Sequence, residues 1–306
     1  MNARTALFHH EYRATLPSPL ALHHGGHLED GTVRFVDSEG SGPPVVLLGG
    51  VSARAEWSWW PKMVGPSLPL DPDRERLIGI DYLEVPTVDT RDQARAIVAV
   101  LDRLGLERVR VIGGSYGAMV ALALGAIAPE RVERMLVVAG AHRPHALGTA
   151  WRTVQRRILD LAVAAGAETE GVVLARALAM TTFRSPEEFE RRFGQPGEVA
   201  GDEATFPVDS YIEHNGQRFA ERFTASTYRA LVTSVDLHRV DPVDVIVPTH
   251  VVGYRRDQLV PVPLVEELAG ALPDCRSSVI LDSEHGHDAF LTDPGPLVPH
   301  IEAVLG

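Results

Sequence analysis

Short continuous apolar runs alternate with amphipathic stretches at both ends of the chain, and a helical middle separates the two ends. Residues 44–48 read P-V-V-L-L and residues 77–81 read L-I-G-I-D. Runs of this kind mark strands buried on both faces of a parallel sheet. Residues 90–105 carry Ala94, Ile97, Val98, Leu101 and Leu104 at helical spacing, with Thr90 as the expected N-cap and Gly105 as the stop. Residues 23–37 read as a hairpin, with a turn at Glu29-Asp30-Gly31 and an alternating strand from Thr32 to Val36. A β-branched run at Val109, Val111 and Ile112 leads into a helix that ends near Pro129, and a strand follows over 135–139. From 141 to about 240 the strand–helix rhythm disappears. Helices are predicted over 151–165 and 172–180, and a polar stretch covers 194–205. The rhythm resumes with a strand over 245–252, a helix over 262–271, a strand over 278–281 and a last helix ending near Leu305. This pattern predicts an α/β fold, a mostly parallel sheet with helices on both faces. Residues 1–140 and 241–306 form its core, and 141–240 form an inserted helical lid.

The chemistry concentrates at residues 109–120, V-R-V-I-G-G-S-Y-G-A-M-V. This is G-x-S-x-G between a strand and a helix, the arrangement of a nucleophile elbow. A serine hydroxyl needs a base within reach, and the base needs an orienting acid. Asp257 follows the strand over 245–252 and His287 follows the strand over 278–281, so both stand beyond strand ends, where ligands bind in such folds. Ser115, Asp257 and His287 are the candidate triad, with His285 as the other histidine in the same loop. An oxyanion hole needs two backbone N–H groups. Tyr116 supplies one, and the loop Gly49-Gly50-Val51-Ser52 supplies the other through Val51 or Ser52.

Composition narrows the function. Net charge is −12, from 29 basic and 41 acidic residues, which argues against a general nucleic-acid binder. The single cysteine, Cys275, excludes an intrachain disulfide. The N-terminal stretch lacks the apolar core of a signal peptide, and no run of apolar residues is long enough to span a membrane. A cytoplasmic protein with no membrane partner is expected. His9, His10, His23, His24 and His27 lack the i, i+4 spacing of a zinc motif, so no metal is expected.

Seven motifs together carry a resemblance. They are W-W-P-K-M-V-G-P at 59–66, L-D-P-D-R at 70–74, the elbow, and A-R-A-L-A-M-T-T-F-R-S at 175–185. V-D-S-Y-I-E-H-N-G-Q-R-F at 208–219, D-Q-L-V-P at 257–261 and G-H-D-A-F-L at 286–291 complete the set. The chain resembles the homoserine O-acyltransferases of methionine biosynthesis, within the α/β-hydrolase superfamily. The resemblance implies that an acyl group passes from acyl-CoA to Ser115 and then to the hydroxyl of L-homoserine, with no permanently bound cofactor. It implies that Arg176 holds the substrate carboxylate and that Asp288 contacts the amino or hydroxyl end. It implies either succinyl-CoA or acetyl-CoA as co-substrate, and motifs 257–261 and 150–157 look like the succinyl-using branch. Arg152, Arg156 and Arg157 on the lid are the candidates to meet a succinyl carboxylate or the CoA phosphates. A serine esterase or thioesterase on the same fold is the alternative, and a homodimer is left open. Two departures stand out. Residues 81–86 replace a longer glycine-rich excursion, and Phe183 replaces a lid tyrosine.

Overall fold

The computed structural model describes residues 10–29 and 31–306. Asp30 of the expected turn, His9, and most of the N-terminal stretch read against a signal peptide lie outside the described residues. Eight strands form one sheet: β1 (His10–Thr15), β2 (Thr32–Asp37), β3 (Pro44–Leu48), β4 (Arg76–Ile80), β5 (Val109–Gly114), β6 (Val132–Val138), β7 (Thr249–Tyr254) and β8 (Cys275–Leu281). Their order is β1-β2-β4-β3-β5-β6-β7-β8. Strands β4, β3, β5, β6, β7 and β8 run parallel, and β1 and β2 add an antiparallel edge.

Alternation along the strands builds two cores. Val46, Leu48, Val109, Val111 and Val137 point to one face, where α1 (Thr90–Leu104) and α2 (Tyr116–Ile127) pack. Val45, Leu47, Ile112, Leu136 and Val138 point to the other, where Trp57, Trp60 and Met63 pack. Between β6 and β7 the chain runs through α3 (Ala146–Ala165), α4 (Glu168–Phe183), α5 (Pro186–Phe193), α6 (Asp209–Ala220) and α7 (Ala225–Leu237). It finishes through α8 (Val262–Ala271), α9 (Ala289–Thr292) and α10 (Val298–Leu305). No helix among the described residues is long and apolar enough to cross a membrane.

The helical insertion enters and leaves at one place. The Val240 N–H donates to the His142 carbonyl at 2.9 Å. Buried His238 spans the junction, donating from Nε2 to the Ala141 carbonyl at 2.9 Å and accepting at Nδ1 from Thr90 Oγ1 at 2.7 Å. Burial outweighs these partners and pushes the His238 imidazole down to about 3, so it stands neutral as this bonding pattern requires.

Four local expectations differ from the structure. Strand β2 pairs with β1, not with residues 23–28, because Tyr12 can stack on Phe35 with ring centroids 5.5 Å apart, whereas H-H-G-G-H offers little to bury. His27–Leu28 instead pairs with Leu20–Ala21 in a separate ribbon. Strand β7 starts at Thr249, after Pro248, which has no N–H to give a ladder. The polar stretch 194–205 contains a small ribbon, Glu198–Ala200 with Glu203–Thr205. The cap of α1 is Asp89, not Thr90: its carboxylate accepts from the Arg91 and Asp92 N–H groups, and Asp92 completes a capping box.

Asp89 is buried and also faces His23 and His24. Asp89→Ala removes the cap and both contacts, so unfolding free energy should fall by about 1–2 kcal/mol. Urea denaturation reads this directly, and an unchanged midpoint would refute it.

Candidate active site

Strand β5 meets α2 at Ser115, whose backbone stands at φ 57, ψ −118. A non-glycine residue held there costs about 1–3 kcal/mol and persists only when its surroundings enforce it. The enforcement is visible next door. A Cβ on Gly117 would lie 2.2 Å from the Leu48 carbonyl oxygen, so only glycine lets α2 approach the end of β3. That approach sets the α2 N-terminus beside the loop holding Val51. The first N–H groups of α2 have no partner within the helix. Tyr116 and Val51 both line the cavity that contains Ser115.

Ser115, His287 and Asp257 meet across 172 and 30 residues of sequence. Ser115 Oγ donates to His287 Nε2 at 2.8 Å, and His287 Nδ1 donates to Asp257 Oδ2 at 2.7 Å. The other Asp257 oxygen accepts from the Leu259 and Val260 N–H groups, at 2.8 and 3.0 Å. This fixes the carboxylate within its turn. Burial alone would lower the His287 pKa, but the charge and hydrogen bond of Asp257, with the charge of Asp288, leave it raised above the usual histidine value. His285 faces elsewhere: its Nδ1 donates to Glu188 Oε2 at 2.9 Å. Gly286 between the two histidines has φ +60, and a Cβ there would meet the Ser185 nitrogen at 2.8 Å.

The cavity wall combines apolar surface with two arginines, Arg152 and Arg176. The Arg176 guanidinium carbon lies 4.9 Å from the Phe183 ring centroid, and Phe183 stacks near His287 at 6.1 Å. Asp288, expected on the substrate, does not line this cavity. Its Oδ2 lies 3.4 Å from Arg184 Nε, at the start of the lid turn before α5. Burial raises its pKa, against the lowering effects of Arg184, His287 and Arg176. Arg152 and Arg156 share one partner, Asp236 of α7, at 2.7 and 2.5 Å, while Arg157 is exposed.

One site-building side chain, that of Tyr82, lies outside every motif. Tyr82, in the short connection after β4, donates to the Gly49 carbonyl at 2.5 Å and packs on Tyr116 at 4.8 Å. It braces both sides of the expected oxyanion hole. The segment at Arg184 and Ser185 clasps the loops of Asp257 and His287. Gln258 Nε2 donates to the Arg184 carbonyl at 3.0 Å, and the Ser185 hydroxyl donates to the Glu284 carbonyl. Ser185 also caps α5, a signal readable as S-P-E-E in the sequence. The clasp itself, 73 or more residues from its partners in the chain, was not readable there.

Among the described residues one group has the ligand types for a metal ion: His23, His24 and Asp89. Arg91 Nη1 donates to His23 Nε2 at 2.9 Å, so a guanidinium charge beside the trio opposes a cation.

Residues 43–294 match the alpha/beta hydrolase fold. The chain is 38% identical to the homoserine O-succinyltransferase of Xanthomonas campestris pv. campestris, over 86% of this chain and 74% of that protein. It is 35% identical to the homoserine O-acetyltransferase of Deinococcus radiodurans, over 94% of this chain and 90% of that protein. The crystal structure of esterase E22 has the same fold, with a TM-score of 0.86 and 18% identity, over 97% of this chain and all of that one.

The acid limb of activity tests the histidine. With p-nitrophenyl acetate as acyl donor, kcat/KM should rise with pH through a midpoint above 6.5, because His287 must be neutral to take the Ser115 proton. Asp257→Asn should move that midpoint down and cut the rate by on the order of 10⁴-fold. A midpoint that stays put would show that Asp257 does not act on the imidazole.

Proposed function

The chain belongs to the homoserine O-acyltransferases of the α/β-hydrolase fold, and on that basis we propose a ping-pong transfer from acyl-CoA to L-homoserine through an acyl-Ser115. Residues 141–240 act as the lid over a core of 1–140 and 241–306, in the cytoplasm, where acyl-CoA is available. Ser115 Oγ attacks the thioester carbonyl while His287 Nε2 takes its proton. Asp257 holds the ring and stabilises the imidazolium. The Tyr116 and Val51 N–H groups receive the oxyanion. The intermediate collapses, CoA leaves as the thiol with the proton from His287, and the acyl ester remains on Ser115. Homoserine then gives its hydroxyl proton to His287 and attacks the ester carbonyl. Ser115 recovers a proton as O-acylhomoserine departs.

The observation that carries transfer over hydrolysis is Arg176. It reaches the cavity of the nucleophile, and among the described residues it has no carboxylate partner. Hydrolysis has no use for a fixed cation there, whereas the carboxylate of an amino-acid acceptor needs one when desolvated. Asp288, held by Arg184 outside the cavity lining, would have to exchange that partner to serve the acceptor's amino group. The stripe Leu147, Val154 and Leu161 on α3 is 48, 48 and 72% exposed at seven-residue spacing, which suits a second copy of the chain, so we read a homodimer, a state that light scattering measures.

For the donor we read succinyl-CoA over acetyl-CoA. Arg152 and Arg156 share the single carboxylate of Asp236, which leaves one positive charge in excess, and Arg152 stands in the cavity wall. A succinyl carboxylate supplies the missing anion. Arg157 has no such position.

Arg176→Ala should slow deacylation by homoserine by roughly 30-fold or more, from a loss of about 2–5 kcal/mol, and leave acylation of Ser115 nearly intact. Stopped-flow separation of the half-reactions tests this; equal damage to both would give Arg176 a structural role. In wild type, kcat/KM for succinyl-CoA should exceed that for acetyl-CoA, and Arg152→Ala should narrow the ratio by about tenfold. A ratio favouring acetyl-CoA overturns the donor reading.

A further inference from the structure

Beyond Arg176 of the cavity wall, positive charge gathers into a cationic rim carried by three separate segments. Arg176 of α4 lies over the Phe219 ring at 4.7 Å. Phe219 stacks flat on Phe223, with centroids 4.2 Å apart and planes 8° from parallel, and both rings are buried. On Phe223 lie two more guanidiniums, Arg54 at 4.5 Å and Arg222 at 5.7 Å. Arg54 comes from the loop that also holds Val51, and it donates to the Arg222 carbonyl at 3.5 Å. Arg218 stands four residues before Arg222, at the end of α6. The aromatic pair thus links the cationic rim directly to the arginine of the inner cavity.

This cluster is under-compensated. Glu84 pairs with Arg54, and Glu56 is held by Arg34 while acting on Arg222 only through its charge. Among the described residues, neither Arg218 nor Arg222 makes an ion pair or hydrogen bond through its guanidinium. Burial and then the charges of Arg54, Arg218 and Arg176 push the Arg222 pKa down, as expected for like charges crowded without an anion. In a chain of net charge −12, with acidic side chains in excess, such crowding is not forced by composition. It is relieved when a multiply charged anion sits among the arginines.

We propose that Arg54, Arg218 and Arg222 form the subsite for the phosphates of the donor's nucleotide end. This rests on the acyl-CoA reading given above, and it moves the phosphate site from the α3 arginines to the rim of α6. The arrangement divides one long ligand by its chemistry. Its acyl carbonyl reaches Ser115 inside, its uncharged arm leaves past Arg176, and its phosphates meet the arginines gathered around Phe223. The rim arginines keep partial contact with water, which lowers the desolvation cost of binding phosphate and allows release of free CoA after acylation.

The test uses the double variant Arg218→Gln/Arg222→Gln, in which both replaced side chains are exposed, so folding is retained; its melting temperature checks this. Titration calorimetry of the intact protein with CoA and with adenosine 3′,5′-bisphosphate should give Kd values about tenfold higher in the variant, with a weaker dependence on salt. In parallel, kcat/KM for acyl-CoA should fall about tenfold, while that for S-acetylpantetheine, which carries no phosphate, stays at the wild-type value. Unchanged Kd values, or equal losses with both thioesters, overturn the subsite. If wild type forms acyl-Ser115 with neither thioester, the acyl-transfer reading fails. Adenosine 3′,5′-bisphosphate binding then decides the subsite on its own.

Discussion

The contact between Gly117 and the end of β3 governs the geometry of the whole site. A Cβ at 117 would stand 2.2 Å from the Leu48 carbonyl, so the absence of a side chain sets how closely α2 approaches the sheet. The approach holds Ser115 in its strained conformation and brings the α2 N-terminus alongside the Val51 loop. Nucleophile and expected oxyanion donors are therefore positioned by one backbone packing event. Tyr82 reinforces it from outside, since one side chain touches both Gly49 and Tyr116. The short connection over 81–86 thus braces the start of α2 and the loop after β3.

The loops of His287 and Asp257 are held differently, by the turn before α5. The turn at Arg184 and Ser185 bonds to the loop of Asp257 through Gln258 and to the loop of His287 through Glu284. Glu188, buried one turn into α5, adds His285. Burial would raise the Glu188 carboxyl, but His285, Arg184 and Arg192 outweigh that and hold it below the usual range. The charged groups of this clasp compensate one another, so it can be buried without stranding a charge. The turn before α5 therefore belongs to the frame that holds the Asp257 and His287 loops.

The distribution of unpaired charge separates two neighbourhoods of the site. Around His285 and Asp288 the cations and carboxylates are matched. Around Arg176, Arg218 and Arg222 they are not. Matched charges hold segments together, whereas unmatched cations keep their capacity for an anion. A fold shared with esterases cannot make this distinction, because strand order and elbow serve hydrolysis and transfer alike.

The sequence by itself determined the parts of this protein that are local in the chain. The buried strands, the amphipathic helix ending at Gly105, the elbow at Ser115 and the order of serine, aspartate and histidine all rest on neighbouring residues, whose sterics and periodicity act over a few positions. Seven motifs added the family. Contacts between distant segments were decided only by the tertiary structure. The register of β1 on β2 depended on Tyr12 meeting Phe35, and the approach of His23 and His24 to Asp89 on packing of the N-terminal segment against α1. Asp288 turned to Arg184, and Arg152 and Arg156 converged on Asp236, because each charge entering a low-dielectric interior takes the opposite charge that packing brings nearest. That choice is made in three dimensions, between residues with no fixed spacing in the chain, and no pattern along the sequence records it.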